Sequence, residues 1–201
     1  MTSSLPHPLI IGLGGSIGSG KSVVREAFEV LSGWETVDSD KEAKELYFLP
    51  EVRRKLRDRL NFDPITGTGS LDKGTLRAAL SDPAKRMTLE EIVHGTLFDR
   101  IRDRAAGSSA PAMLVESAIL FSSGLARLCH RTIAVLAAGE VRRSRAEVRD
   151  ADKGEAFFRM MDERQKKERQ LLQGADYVID NDGAQSLILQ IESITSKIFS
   201  V

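Results

Sequence analysis

The chain has 201 residues, enough for one well-buried core with a smaller appended lobe. Its 29 lysines and arginines balance 29 aspartates and glutamates, so bulk charge argues for neither a nucleic-acid nor a membrane partner, and a lone Cys129 excludes an intramolecular disulfide or a cysteine metal cluster. No apolar run is long enough to span a bilayer, and the start MTSSLPHP lacks the basic-then-apolar pattern of a signal peptide, so a soluble cytoplasmic protein is expected.

The first predicted element is a strand, Leu9–Leu13, and it runs straight into GLGGSIGSGKS (Gly12–Ser22). The helical period of VVREAFEVL follows. Gly15–Ser22 satisfies the pattern G-x-x-x-x-G-K-[ST] in the strand–helix context that the pattern requires. Glycines let backbone N–H groups turn inward to form a concave nest for phosphate oxygens, and the helix start adds the positive end of its dipole. The candidate nucleotide site is therefore Gly15, Ser16, Ile17, Gly18, Ser19 and Gly20, with Lys21, Ser22 and Val23 at the helix start. Lys21 reaches the outer phosphates, and the Ser22 hydroxyl is the expected ligand of a Mg²⁺ that bridges them. The glycines give no clean G-x-G-x-x-G, and the Lys-Ser ending decides against a dinucleotide fold.

The second predicted strand, Trp34–Val37, ends at Asp38-Ser39-Asp40. In open parallel sheets ligands gather at the carboxyl ends of strands, so a carboxylate here can accept a proton from an attacking hydroxyl or hold a metal-bound water. One of the pair can equally cap the helix expected from Lys41. The interval from Lys41 to Ser109 is charged, mostly helical in pattern and broken at FDPITGTGS, which is too much chain for a simple crossover. It is expected to form a lobe beside the sheet.

Strands are predicted next at Ala112–Val115, Thr132–Leu136 and Tyr177–Ile179, alternating with helical segments. The basic stretch EVRRSRAEVRD after the fourth places Arg142, Arg145 and Arg149 on one helix face by i, i+3 and i+4 spacing. Such arginines can close over a triphosphate and stabilise charge on a transferred phosphoryl group; a solvated face with Glu140, Glu147 and Asp150 is the plainer alternative. RQKKERQ (164–170) reads as a solvated helix face.

With these residues assembled, the sequence resembles the dephospho-CoA kinase family of phosphate-loop kinases. The resemblance rests on the loop, on Asp38-Ser39-Asp40 followed by Ala43-Lys44, on Leu71-Asp72-Lys73 with Arg77, and on LEEIVH ending at His94. It continues through Ile119–Leu125, Arg145, Arg149 and Gln165 to DYVIDNDG (Asp176–Gly183). It implies a three-layer α/β/α fold with a five-stranded parallel sheet, and transfer of the ATP γ-phosphate to the ribose 3′-hydroxyl of dephospho-CoA with Mg²⁺. Asp40 becomes the implied general base and Asp38 its support, while Lys21 and Arg145 carry charge and Arg149 joins them over ATP. Lys44, Arg77 and His94 are the implied acceptor contacts, and Asn181 and Gly183 lie near the adenine. The implied organisation is a core of residues 1–40, 110–138 and 174–201, an acceptor lobe of 41–109 and a lid of 139–173.

The chain departs from the family pattern at Gly14 and Ser16 in the loop, at Gly95 after His94, and at Ser122, where the family has glutamate after phenylalanine. Glu116, earlier on that strand, offers a carboxylate instead. From the residues alone, a different small-molecule kinase for a nucleotide, nucleoside or sugar acid, or a nucleotide-binding switch protein, stays open, as does the oligomeric state.

Overall fold

The computed structural model describes residues 8–200; the leader question falls on residues 1–7, outside the described residues. β1 (Leu9–Gly15) leads through the loop into α1 (Lys21–Ser32), followed by β2 (Glu35–Asp38), α2 (Ser39–Leu46), α3 (Pro50–Leu60), α4 (Lys73–Ser81) and α5 (Pro83–Gly107). Then come β3 (Ala112–Ser117), β4 (Arg131–Leu136), α6 (Gly139–Arg149), α7 (Gly154–Arg164), α8 (Lys166–Leu171), β5 (Tyr177–Asp180) and α9 (Leu187–Phe199). All five expected strands form, and they pair in parallel in the order β2-β3-β1-β4-β5.

The two faces of β1 differ because side chains alternate along a strand. Ile11 and Leu13 join Val24 and Phe28 of α1 and Ile191, Ile194 and Ile198 of α9 in one apolar core. Trp34, just before β2, stacks on Phe28 with ring centroids 4.6 Å apart and meets Phe199 edge-on at 6.1 Å. Phe28 and Trp34, both buried, each contribute about 1.5–3 kcal/mol through removal of apolar surface from water. On the opposite face Gly12 and Gly14 leave room for other side chains. A Cβ at Gly12 would meet Leu120 and the Cys129 sulfur at 2.9 Å, and one at Gly14 would meet Leu172 at 2.7 Å. Burial first, then the charge of Asp176, pushes the Cys129 thiol up to about 12, so this cysteine is a packing residue.

The chain divides into two compact units: the residues up to Asp38 together with those from Ala105 onward, and Ser39–Arg104. The second is helical. Its buried side chains include Leu46, Val52, Leu56, Leu76, Leu89, Ile92, Val93, Leu97 and Ile101. α3 begins at Pro50, whose fixed φ suits a helix start, and ends on left-handed Asn61. The break beyond it is ordered by Asp63, which accepts hydrogen bonds from Arg53 (3.0 and 2.8 Å), Arg57 (2.7 Å) and the Ile65 N–H (3.0 Å). Those donors hold the Asp63 carboxyl well below the usual carboxylate range, Arg53 foremost. Asp72 then caps α4 by accepting from the Thr75 N–H at 3.0 Å and its hydroxyl at 2.7 Å.

Candidate active site

Gly15 closes β1, and the loop turns at Gly18 and Gly20, which have φ of +75° and +91°. Both positions exclude a side chain for a second reason. A Cβ at Gly18 would lie 2.1 Å from the Arg142 carbonyl oxygen, and one at Gly20 would lie 2.2 Å from Asn181 Nδ2. The loop is thus pressed between α6 and the turn after β5. Gly20 is the N-cap of α1 and makes no side-chain hydrogen bond, so no capping side chain stands where an anion would sit at the helix dipole.

Polar groups pin this loop from outside. The Asn181 amide donates to the Ser19 carbonyl at 2.8 Å. The Ile17 N–H donates to Gln165 Oε1 at 2.6 Å, and Arg142 donates to the Ile17 carbonyl at 3.4 Å. Arg142 also donates to Asp162 at 2.5 Å, and Asp162 accepts from Arg169 at 2.7 Å. Ile17 itself packs with Ala146 and Phe158, so α6 and α7 rest on the loop. The three arginines of α6 therefore part company. Arg142 is buried and structural; Arg145 is half-buried, with Nη1 3.7 Å from the position of a Gly20 Cβ; Arg149 is exposed and pairs with Asp150 at 2.6 Å.

The reading of 164–170 as a solvated face holds for Arg164, Lys166, Lys167 and Gln170, which are exposed, and fails at two positions. Gln165 and Glu168 are buried, at 6% and 1% exposure; Gln165 Oε1 accepts one backbone N–H and the Glu168 carboxylate accepts two. A run of polar residues carries no hydropathy signal for burial, because what draws these two inward is unpaired backbone rather than apolar surface. The signal that was available is their i, i+3 spacing, which puts them on one side of a helix.

At the start of α1 the Ser22 hydroxyl donates to Glu116 Oε1 at 3.1 Å, and Arg25 Nε donates to Glu116 Oε2 at 2.9 Å. Glu116 is buried on β3, and Asp38 at the end of β2 is its register partner. Lys21, Ser22, Glu116, Asp38, Arg145 and Asn181 all belong to the first unit. Gly183, with φ of +95°, lies in the exposed turn after β5, and Val23 is largely exposed. Asp40, Lys44, Arg77 and His94 belong to Ser39–Arg104. α2 starts at Ser39, two residues earlier than expected, so Asp40 lies within its first turn, where a carboxylate complements the dipole. Lys44 and Arg77 are exposed. His94 is half-buried, stacked on Phe98 at 6.0 Å, and burial lowers its pKa below the usual value, which favours the neutral ring.

The site offers a test of its ligand. Arg145 Nη1 is buried with no hydrogen-bond partner, a costly condition that an anion in the loop would relieve. A glycine-walled nest, a lysine and serine at a helix start, and this orphan guanidinium fit a polyphosphate; the Ser22 hydroxyl beside Glu116 fits a hard cation such as Mg²⁺. A parallel sheet of this order with such a loop after its central strand defines a phosphate-loop kinase.

Comparison with known proteins narrows that class. The sequence model of the dephospho-CoA kinase family matches residues 9–186. The dephospho-CoA kinase of Syntrophotalea carbinolica is 32% identical over 182 residues, 88% of this chain and 85% of that protein. Among solved structures, TT1252 from Thermus thermophilus superposes with a TM-score of 0.78 at 26% identity, covering 96% of this chain and 98% of that one. The dephospho-CoA kinase of Campylobacter jejuni shares the fold, with a TM-score of 0.63 at 19% identity over 95% and 97% of the two chains. The chain belongs to the dephospho-CoA kinase family, and it is a kinase.

Proposed function

We propose that the protein transfers the γ-phosphoryl group of ATP to the ribose 3′-hydroxyl of dephospho-CoA, giving CoA and ADP. The observation that carries this reading is the orphan Arg145 Nη1 beside Gly20, in a chain of this family. Lys21 and Arg145 set fixed positive charge around the β- and γ-phosphates, where negative charge shifts during transfer, and they do so without reorganising. Ser22 and Glu116 would hold Mg²⁺, with Arg25 keeping the Glu116 carboxylate turned toward the serine. When bound, the ion supplies charge neutralisation across the phosphates. Asp40 accepts the proton of the ribose hydroxyl as that oxygen bonds to phosphorus and the bond to the ADP oxygen breaks. Asp38 sits at the strand end two residues earlier, beside Glu116 in register. Lys44, Arg77 and His94 serve the acceptor, Arg149 closes over ATP once released from Asp150, and Asn181 and Gly183 border the adenine.

Among the described residues no helix is long and apolar enough to cross a membrane, and a cytoplasmic enzyme acting on small molecules, without nucleic acid, belongs to the same reading. The test is ADP release with dephospho-CoA set beside nucleotides, nucleosides and shikimate-like sugar acids. Dephospho-CoA is expected to give the highest kcat/KM; equal or better turnover of another acceptor overturns the assignment.

A further inference from the structure

One buried charge is not used by this scheme. Glu168 on α8 is 1% exposed, and its two carboxylate oxygens accept the N–H groups of Phe121 at 2.8 Å and Ser122 at 2.9 Å. An ionised carboxylate is costly to bury, and two backbone donors offset that cost only while the turn stays in one conformation. That turn follows β3. In the sheet β3 lies between β1, which carries the phosphate loop, and β2, which ends at Asp38. The residues after β3 therefore emerge at the carboxyl edge between the donor loop and the carboxylate strand, where ligands of parallel sheets bind.

The same short helix reaches the donor loop. Gln165 accepts from the Ile17 N–H at 2.6 Å, three residues before Glu168 accepts from the turn. Arg169 then ties the helix to Asp162, which also binds Arg142, and Arg142 donates to the Ile17 carbonyl. Leu172, at the end of α8, fills the space above Gly14 of β1. Both the phosphate loop and the turn after β3 are thus hydrogen-bonded to α8 or its N-cap residue, through side chains three positions apart.

We infer that Glu168 is a positioning residue for the phosphoryl acceptor: it fixes Phe121–Ser122 in register with the ATP loop, so that α8 couples donor and acceptor occupancy. The inference rests on the kinase reading above. Ser122 stands where the family pattern has a glutamate, and in this chain a carboxylate from α8 is bonded to that very N–H.

The conservative variant Glu168→Gln keeps the volume but turns an amide donor against one of the two N–H groups. The KM for dephospho-CoA is expected to rise about tenfold, the worth of one hydrogen bond to a charged acceptor, while the Kd for ATP measured calorimetrically without acceptor stays within about twofold. Gln165→Leu is expected to reverse the split, weakening ATP more than the acceptor. Should Glu168→Gln raise both constants alike, raise neither, or weaken ATP more, the inference fails. Hydrogen exchange on the unmodified protein gives an answer even if that variant does not fold. A non-hydrolysable ATP analogue alone is expected to slow exchange at Phe121 and Ser122 as well as in the loop, and protection confined to the loop overturns the coupling. Wild-type turnover of dephospho-CoA separates the two levels: its absence would sink the kinase assignment itself, whereas its presence without the split would sink only the role of Glu168.

Discussion

The two units handle their charged residues in opposite ways. Around the phosphate loop, Arg142, Gln165, Glu168 and Glu116 are buried and bonded to backbone or to other side chains, mostly of residues far away in sequence. In Ser39–Arg104 most guanidiniums stay at the surface: Arg59 meets Glu91 at 2.8 Å and Arg104 meets Glu42 at 2.9 Å, while Arg53 and Arg57 converge on the half-buried Asp63. Buried networks fix one geometry, because breaking one partner strands another without water. Exposed pairs are worth little and rearrange freely. The lesson is that the polar groups around the phosphate loop are held in one arrangement, while those on the surface of the helical unit are free to exchange partners, as the proposed division into a donor site and an acceptor lobe requires.

Breaking the contrast begins with the group of largest effect. Lys21→Ala is expected to lower kcat about 10²–10³-fold with little change in Tm if its charge serves the transferring phosphoryl group as proposed; steady-state kinetics and thermal unfolding check this together. Next, Arg142→Met should cost about 3 kcal/mol, because it leaves the Asp162 carboxylate and the Ile17 carbonyl short of a buried partner. That corresponds to a Tm about 6–12 °C lower, with ATP affinity falling alongside. If Arg142→Met changed neither, the buried network would not be what shapes the loop.

Asp63→Asn sharpens the comparison through pH. The Asp63 pKa is depressed in the folded protein, so its contribution to stability is present above the unfolded carboxylate value of about 4 and is lost as pH falls through that value toward the folded one. Variant and parent should therefore differ by about 3–6 °C in Tm at neutral pH, with the gap closing as the medium becomes acidic. A gap that widens in acid contradicts the assignment. Arg59→Ala, which breaks only an exposed pair with Glu91, should move Tm by about 2 °C or less.

Much of this is legible in the amino-acid sequence. Period and composition mark the five strands, and Gly15–Ser22 declares its ligand class, because phosphate nests demand glycine, lysine and serine in fixed order. The helix of arginines was only half legible. Spacing sets the direction of each Cβ but not what waits at the end of a long side chain: Arg142, Arg145 and Arg149 share a face, yet Arg142 meets the Ile17 carbonyl, Arg145 keeps a buried Nη1 with no hydrogen-bond partner, and Arg149 meets Asp150. α8 is legible as a helix, but the burial of Gln165 and Glu168 is not, since polar residues bonded to buried N–H groups look like solvated ones in sequence. Gly14, a departure from the family pattern, acquires a local reason: Leu172 occupies the space a side chain there would need.

The most direct measurement is product analysis by phosphorus NMR after incubation with ATP, Mg²⁺ and dephospho-CoA. The account predicts one new phosphomonoester on the ribose 3′-oxygen for each ADP formed. ADP formed without a phosphorylated acceptor, or a phosphate on any other oxygen, would contradict it.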